Sequence, residues 1–214
     1  MSEPLIIAID GPAASGKGTL SRRLASFYGL RHLDTGTLYR GVAWIMLRDG
    51  FEPRDEAAAV KVARAFDPEI LGSADLRTPA VGRSASLVAV HEGVRKALFD
   101  FQRSFGLQKP GAVLDGRDIG TVIFPDATVK FFITASPEER AQRRYLELRA
   151  SDEGVTYEGT LAELKRRDER DQSREEAPLK PAAEAEIIDT SKLTPDEVMA
   201  RAVRIIDNVV RGRT

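Results

Sequence analysis

Two glycines five positions apart, the second followed at once by a lysine, open the chemistry of this chain: Gly11-Pro12-Ala13-Ala14-Ser15-Gly16-Lys17-Gly18-Thr19. This G-x-x-x-x-G-K frame uses its glycines to let the backbone wrap closely around a polyphosphate, with successive N–H groups aimed at the oxygens. A helix starting behind such a loop adds the partial positive charge of its N-terminus. Lys17 contributes a full, mobile charge for the β- and γ-phosphates. Gly18 stands where serine or threonine commonly follows the lysine, and the hydroxyl comes one step later, on Thr19. The segment points to binding of a nucleoside triphosphate, and by itself names no reaction.

Phosphoryl transfer spreads charge over the equatorial oxygens, so cationic clamps are the next residues to seek. Arginine suits the task because it stays charged and grips phosphate bidentately. Candidates are Arg40, Arg95, Arg117, Arg140, Arg143, Arg144, Arg149, Arg167, Arg170 and Arg174. A single arginine on a helix usually marks only a solvated face, but placement favours two of these. Arg40 lies one helical turn past Gly36, and Arg117 directly follows a strand end, where parallel sheets bind ligands. Asp115 closes that strand, the position of a carboxylate near magnesium, although Asp-Gly is also a common turn pair. Asp118 would hold a ribose hydroxyl or orient Arg117. From Lys165 to Arg174 charges alternate at helical spacing, with Asp168 and Gln172, and Asp171 and Arg174, on shared faces. Taken alone, that run reads as a salt-bridged solvent face.

These residues need a scaffold. Leu5 to Asp10 reads as a buried strand stopped by Gly11-Pro12. Leu20, Leu24, Phe27 and Tyr28 then recur at helical spacing up to Gly29. Leu30 to Asp34 predicts a short strand, followed by a helix carrying Leu38, Val42, Ile45 and Met46 and ending at Gly50. Ala112–Gly116, Val129–Ile133 and Ile187–Asp189 read as further strands. Ser136-Pro137-Glu138-Glu139 and Thr194-Pro195-Asp196-Glu197 both look like helix starts. Alternating strands and helices predict an α/β fold, a parallel sheet flanked by helices. Between about Arg54 and Gly111 the pattern loosens around Pro53, Pro68 and Pro79, which suggests an inserted subdomain. Ser151 to Thr160, with Gly154 and Gly159, suggests the tip of a mobile flap.

Composition excludes several classes. Of 214 residues 42% are hydrophobic and 30% charged, ordinary for a folded domain. The 32 basic and 33 acidic residues give a net charge of -1, so no global field draws the chain to nucleic acid or membrane. Without cysteine there is no disulfide, thiolate zinc site or thiol nucleophile. His32 and His91 are too few for a histidine metal centre, and neither they nor Trp44 signals more than packing or surface. The apolar run Leu5–Ile9 is too short to span a bilayer and does not resemble a signal peptide. A cytoplasmic address is expected.

The glycine after Lys17 resembles the loop of nucleoside monophosphate kinases, and three further segments narrow the likeness. Asp34-Thr35-Gly36-Thr37-Leu38-Tyr39-Arg40, the stretch from Ala112 through Asp115-Gly116-Arg117-Asp118 to Pro125, and that from Arg167 through Asp171-Gln172-Ser173-Arg174 to Leu179 are similar to segments of bacterial cytidylate kinases. The resemblance runs from Ile6 to about Asp207. It implies a P-loop kinase fold in one domain: a core (about 1–53, 111–135 and 161–214), a monophosphate-binding insertion (about 54–110) and a lid (about 136–160). The implied reaction is ATP-dependent phosphorylation of CMP, and of dCMP, to the diphosphate. Residues 11–19 would bind ATP, joined by Arg140 and Arg144; which of Arg140, Arg143 and Arg144 acts when the lid closes and excludes water stays open, the others being surface charges. Lys17, Arg117, Arg167 and Asp115 would serve the transfer. Asp34, Gly36, Arg40, Ser86, Arg95, Arg117, Asp118, Arg167, Asp171 and Arg174 would bind CMP. Of these, Ser86, Arg95, Asp171 and Arg174 would form the cytosine pocket. Magnesium would arrive with ATP and lie near Thr19 and Asp115, with no protein ligand assigned, and the enzyme would be a monomer. Pro178-Leu179, Lys180-Pro181 and Asp189-Thr190-Ser191 would border the adenine or simply form turns and caps. A kinase for UMP or for a non-nucleotide acceptor shares the P-loop but would differ at the cytosine pocket. An ATP-binding regulatory module leaves Asp34–Arg40 and Arg117-Asp118 without a task.

Overall fold

Ile6 to Asp10 are buried at every position, which suits a strand with neighbours on both edges and helices on both faces. In the computed structural model, which describes residues 4–150 and 154–212, this segment is β1 (Leu5–Asp10). The other strands among the described residues are β2 (Arg31–Asp34), β3 (Gly111–Gly116), β4 (Val129–Thr134) and β5 (Glu186–Asp189). They form a sheet in the order β2-β3-β1-β4-β5. β1 pairs in parallel with β3, Ile9 opposite Asp115, and with β4, Ile7 opposite Val129; β4 pairs in parallel with β5. The carboxyl ends of β1, β3 and β5 therefore lie at one edge of the layer, the edge where open α/β sheets hold ligands.

Two compact units divide the chain. The first, Met1–Leu33 with Gly106–Thr214, contains the sheet with helices α1 (Lys17–Tyr28), α6 (Pro137–Arg149), α7 (Tyr157–Gln172) and α8 (Pro195–Arg211). Its core brings Ile7, Ile9, Phe131 and Ile133 of the sheet against Leu20 and Leu24 of α1 and against Val198, Ala202 and Ile206 of α8. Truncating a fully buried leucine such as Leu24 would cost about 2–5 kcal/mol. The periodicity read for α8 is the buried stripe observed, and its Thr194–Glu197 capping box is complete. A smaller cluster packs Ala13 of the phosphate loop against Ala141 of α6 and Leu164 of α7.

The second unit, Asp34–Phe105, is helical: α2 (Gly36–Arg48), α3 (Glu56–Arg64), α4 (Pro79–Val88) and α5, which runs from Glu92 to Leu107, with 3₁₀ turns at Pro68–Gly72 and Ala74–Arg77. It begins at Asp34 and not near residue 54, because α2 packs on α3, α4 and both 3₁₀ turns. Gly41 is what admits Phe66 to α2: a Cβ there would lie 2.4 Å from the ring.

The stretch expected as a flap also differs from its reading. Ser151–Glu153 lie outside the described residues. Tyr157–Thr160, however, is the first turn of α7, started by Thr156, whose hydroxyl accepts from the Gly159 N–H.

Candidate active site

Between β1 and α1 the chain turns on two glycines that no other residue could replace without strain. Gly11 has φ +153°, and a Cβ there would sit 2.0 Å from the Ile133 carbonyl oxygen. Gly16 stands in left-handed conformation at the N-cap of α1 and offers no side-chain cap, so the first-turn N–H groups are left to face an anion. Lys17 Nζ curls back over the loop and donates to the Pro12 carbonyl at 3.3 Å. The Ser15 hydroxyl is buried within the loop with no hydrogen-bond partner among the described residues. The loop thus brings the Gly11 and Gly16 turns, the Lys17 ammonium and the uncapped start of α1 together at the end of β1.

Of the three lid arginines, Arg143 is the one beside the cradle. It donates to the Thr190 hydroxyl at 3.0 Å and to the Thr190 carbonyl at 2.7 Å, and a Cβ on Gly16 would lie 3.9 Å from its Nη1. Thr190, at the end of β5, in turn donates to the Ser15 carbonyl at 2.9 Å. Arg143 and Thr190 border a cavity of about 330 Å³ with Gly16, Thr19, Leu193 and Pro195. Arg140 and Arg144, both expected at the triphosphate, are engaged elsewhere. Arg140 is buried: its Nε donates to the Ala135 carbonyl, Nη1 to the Ala13 carbonyl, and its fork pairs with Asp168 at 3.1 and 2.6 Å. It braces the phosphate loop from behind. Arg144 pairs with exposed Glu147 at 3.0 Å.

At the end of β3, Asp115 is buried, with one oxygen 2.8 Å from His32 Nε2 and the other 3.9 Å from where a Gly18 Cβ would be. Asp115 thus lies over the start of α1. Arg117 follows, donating from Nε to Asp171 Oδ2 at 2.8 Å and from Nη1 to the Gly116 carbonyl at 3.2 Å. Asp171 also meets Arg174 Nη2 at 3.6 Å. Burial alone would push the Asp171 carboxyl up, but Arg117, Arg167 and Arg174 together hold it below the usual carboxylate range. The helix bearing Asp171 ends at Gln172, so Arg174 lies just beyond α7 and returns its Nε to the Asp171 carbonyl at 3.3 Å. The charged run read as a solvent face is therefore, at Asp171 and Arg174, a buried ion cluster.

The remaining expected residues belong to the second unit. Asp34 Oδ1 accepts from the Gly36 N–H at 2.9 Å and starts α2. Arg40 donates to the Leu76 carbonyl at 2.9 Å and passes over Gly82. Arg95 is buried, its guanidinium 5.7 Å from the centroid of the Tyr39 ring, and Ser86 is buried on α4.

Sequence reasoning gave no site role to His32, Asp10 or Asp168, and for Thr190 it offered only the adenine border or a cap. His32 reads as a packing residue, yet it touches Asp115 from a position 83 residues away. Asp10 reads only as a strand end, yet it is buried and receives two backbone N–H groups. Asp168 and Thr190 take their places from pairings across 28 and 175 residues. No local pattern signals any of them.

Comparisons with known proteins place the chain in a family. The family model described as cytidylate kinase matches residues 7–208. A cytidylate kinase of Afipia carboxidovorans is 55% identical over 95% of this chain and 97% of its own length. Those of Bradyrhizobium diazoefficiens and Xanthobacter autotrophicus are 52% and 54% identical over 98% of this chain and 99% and 100% of theirs. In fold alone, the chain resembles the crystal structure of an uncharacterised protein from Eubacterium ventriosum, with a TM-score of 0.59 at 18% identity over 95% of this chain and 98% of that one. A phosphate cradle on β1, the Asp115–Asp118 segment on the adjacent strand end, and likeness over nearly the full length lead to one placement: this chain belongs to the cytidylate kinase family.

Proposed function

We propose that the protein transfers the γ-phosphoryl group of ATP to CMP, and to dCMP, releasing ADP and the cytidine diphosphate. The observation that carries this reading is the Arg117–Asp171–Arg174 cluster beside Asp118, at the strand end next to the phosphate loop, in a chain of this family. Lys17 and the α1 N-terminus draw the β- and γ-phosphates, and Arg143, pinned by Thr190, lies beside them. The cavity of about 330 Å³ adjoining Gly16, with Leu20, Leu193, Pro195 and Val198 in its lining, is of the size and polarity to take a nucleobase. Arg117 and Arg167 would hold the acceptor phosphate, and Asp118 its sugar. By the family resemblance, Arg40, Ser86 and Arg95 would also bind CMP, with Asp34 and Gly36 shaping the helix start before Arg40.

The chemistry balances without a covalent intermediate. An oxygen of the CMP phosphate forms a bond to the γ-phosphorus as the bond from that phosphorus to the β-phosphate oxygen breaks, and ADP leaves. Little general-base assistance is required, because the nucleophile is already an anion, so the protein's part is positioning and charge. Magnesium arriving with ATP would supply positive charge to offset that of the phosphates. Asp115, a hard oxygen donor lying over Gly18, fits such an ion, with Thr19 the nearest hydroxyl in sequence. The same reading takes the protein to be a cytoplasmic monomer without nucleic-acid partners. Among the described residues no helix is long and apolar enough to cross a membrane.

The test is ADP release measured against CMP, dCMP, UMP, AMP and GMP. The cytidine nucleotides should dominate. Preference for UMP, or ATP turnover indifferent to the acceptor, would overturn the reading.

A further inference from the structure

Asp10 ends β1, with Gly116 of β3 as its register partner. Its carboxylate is buried, and both oxygens are taken: Oδ1 accepts from the Ile119 N–H and Oδ2 from the Gly120 N–H, each at 2.8 Å. Ile119 and Gly120 open a π-turn, Ile119–Ile123, whose first N–H groups would otherwise be orphan donors in a buried setting. Asp118, the N-cap of that turn, makes no side-chain cap, so the capping anion comes from a residue more than a hundred positions earlier. A Cβ on Gly120 would lie 3.4 Å from Asp10 Oδ2, which shows how closely backbone and carboxylate approach.

Burying a carboxylate this deeply is unfavourable. Burial pushes the Asp10 carboxyl up to about 7, and Asp118 adds to the rise, while the Gly120 and Ile119 N–H groups and Arg117 oppose it. Both oxygens already serve backbone donors, so Asp10 does not reach for substrate itself. What its position does is join two segments. One residue after Asp10 the phosphate loop begins at Gly11, and the two residues immediately before Ile119 are Arg117 and Asp118.

We propose that Asp10 is a positioning residue that locks the Arg117–Asp118 segment to the phosphate loop, and so sets the acceptor clamp relative to the ATP phosphates. This rests on the reading of Arg117 and Asp118 as acceptor-binding groups. An anion with two acceptors is required because two consecutive N–H groups must be met at once; an amide could meet only one and would turn its own NH₂ toward the other.

The experiment compares wild type with Asp10→Asn. The variant should raise KM for CMP about tenfold, the equivalent of roughly 1.4 kcal/mol. The Kd of a non-hydrolysable ATP analogue, read by calorimetry, should stay within about twofold, a split that a general loss of folding would not produce. In wild type without substrate, the Ile119 and Gly120 amide protons should exchange slowly, a readout independent of both activity and the variant's folding. Rapid exchange there overturns the inference, as does a folded Asp10→Asn protein with unchanged KM for CMP, or one losing ATP affinity as steeply as CMP affinity. A wild type inactive on CMP but protected at both amides would instead refute the functional reading and leave the lock intact.

Discussion

Asp171 offers the sharpest test, because its side chain is the common counter-ion of three arginines. Asp171→Asn keeps the shape and removes the charge. Arg117 would lose a 2.8 Å partner and Arg174 a 3.6 Å one, and their side chains are only 15% and 4% exposed. Removing one member of a buried pair typically costs about 3–5 kcal/mol. Here Arg117 keeps the Gly116 carbonyl and Arg174 the Asp171 carbonyl, so the lower end, about 3 kcal/mol, is expected. For a chain of this length that corresponds to a fall in Tm of about 6–12 °C. The sign with pH follows from the direction of the shift. Because the folded carboxyl titrates below its unfolded value, the stabilisation is full above about pH 4 and fades as pH falls through the folded pKa. The gap between wild type and variant should therefore be flat from pH 8 to about 5 and close in stronger acid. Thermal unfolding across that range is the assay. A variant within about 2 °C of wild type at pH 7 would show that the cluster contributes little to stability. The same protein tests specificity: the preference for CMP over UMP should drop roughly 5- to 150-fold, or 1–3 kcal/mol, if Asp171 also accepts from the cytosine amino group. A destabilised variant with the wild-type CMP-to-UMP ratio would confine Asp171 to the ion cluster.

Lys17→Met should fold normally and lose a hundredfold or more in turnover, about 3 kcal/mol of transition-state stabilisation; near-normal turnover in steady-state kinetics would remove the lysine from the chemistry. Thr190→Val deletes the hydroxyl that joins Arg143 to the Ser15 carbonyl, so calorimetry should show an ATP analogue binding about five- to tenfold more weakly, near 1 kcal/mol, with KM for CMP unmoved. An equal loss on the CMP side would contradict that placement. Hydrogen exchange should slow in α4 and the start of α5 when CMP is added, and around Gly11–Thr19 and Arg143 when an ATP analogue is added; no slowing near Ser86 and Arg95 with CMP would withdraw them from the monophosphate site.

The elements legible in the sequence were those whose signal is local. β1 shows itself as a short continuous apolar run, α8 as a stripe with both halves of its capping box, and the phosphate loop as nine contiguous residues. The region from Arg54 to Gly111 reads as loose because proline in a sequence signals a break. Pro68 and Pro79 in fact stand at the first positions of helical turns capped by Asp67 and Thr78, where a missing N–H costs nothing. The start of α7 was hidden for a related reason. Thr156 caps it, but the third helical residue is Gly159 where a capping box would have glutamate or glutamine, and Gly154 and Gly159 together read as loop.

The site divides along the same line. Glycines, Lys17 and the Arg117-Asp118 pair announce themselves because their chemistry lies in contiguous residues, whereas the groups that aim them are found only when the sheet assembles. Asp10 meets Gly120 because parallel pairing of β1 with β3 brings their carboxyl ends level. Thr190 meets Ser15 because β5 ends at the same edge, 175 residues later. Arg140 illustrates the limit most clearly. A helix bearing Arg140, Arg143 and Arg144 presents three guanidinium groups, and sequence offers no means of choosing among them. Packing decides. Residues three apart share a helix face, so Arg140 and Arg143 both turn toward the phosphate loop, while Arg144 pairs with a glutamate on its own helix. Asp168 on α7 then captures Arg140 in a bidentate pair, with the Ala13 carbonyl as a further acceptor, and Arg143 is left beside Thr190 and the cavity. The arginine captured by the Asp168 carboxylate braces the loop, and its neighbour one turn along, Arg143, lies beside Gly16 and the cavity.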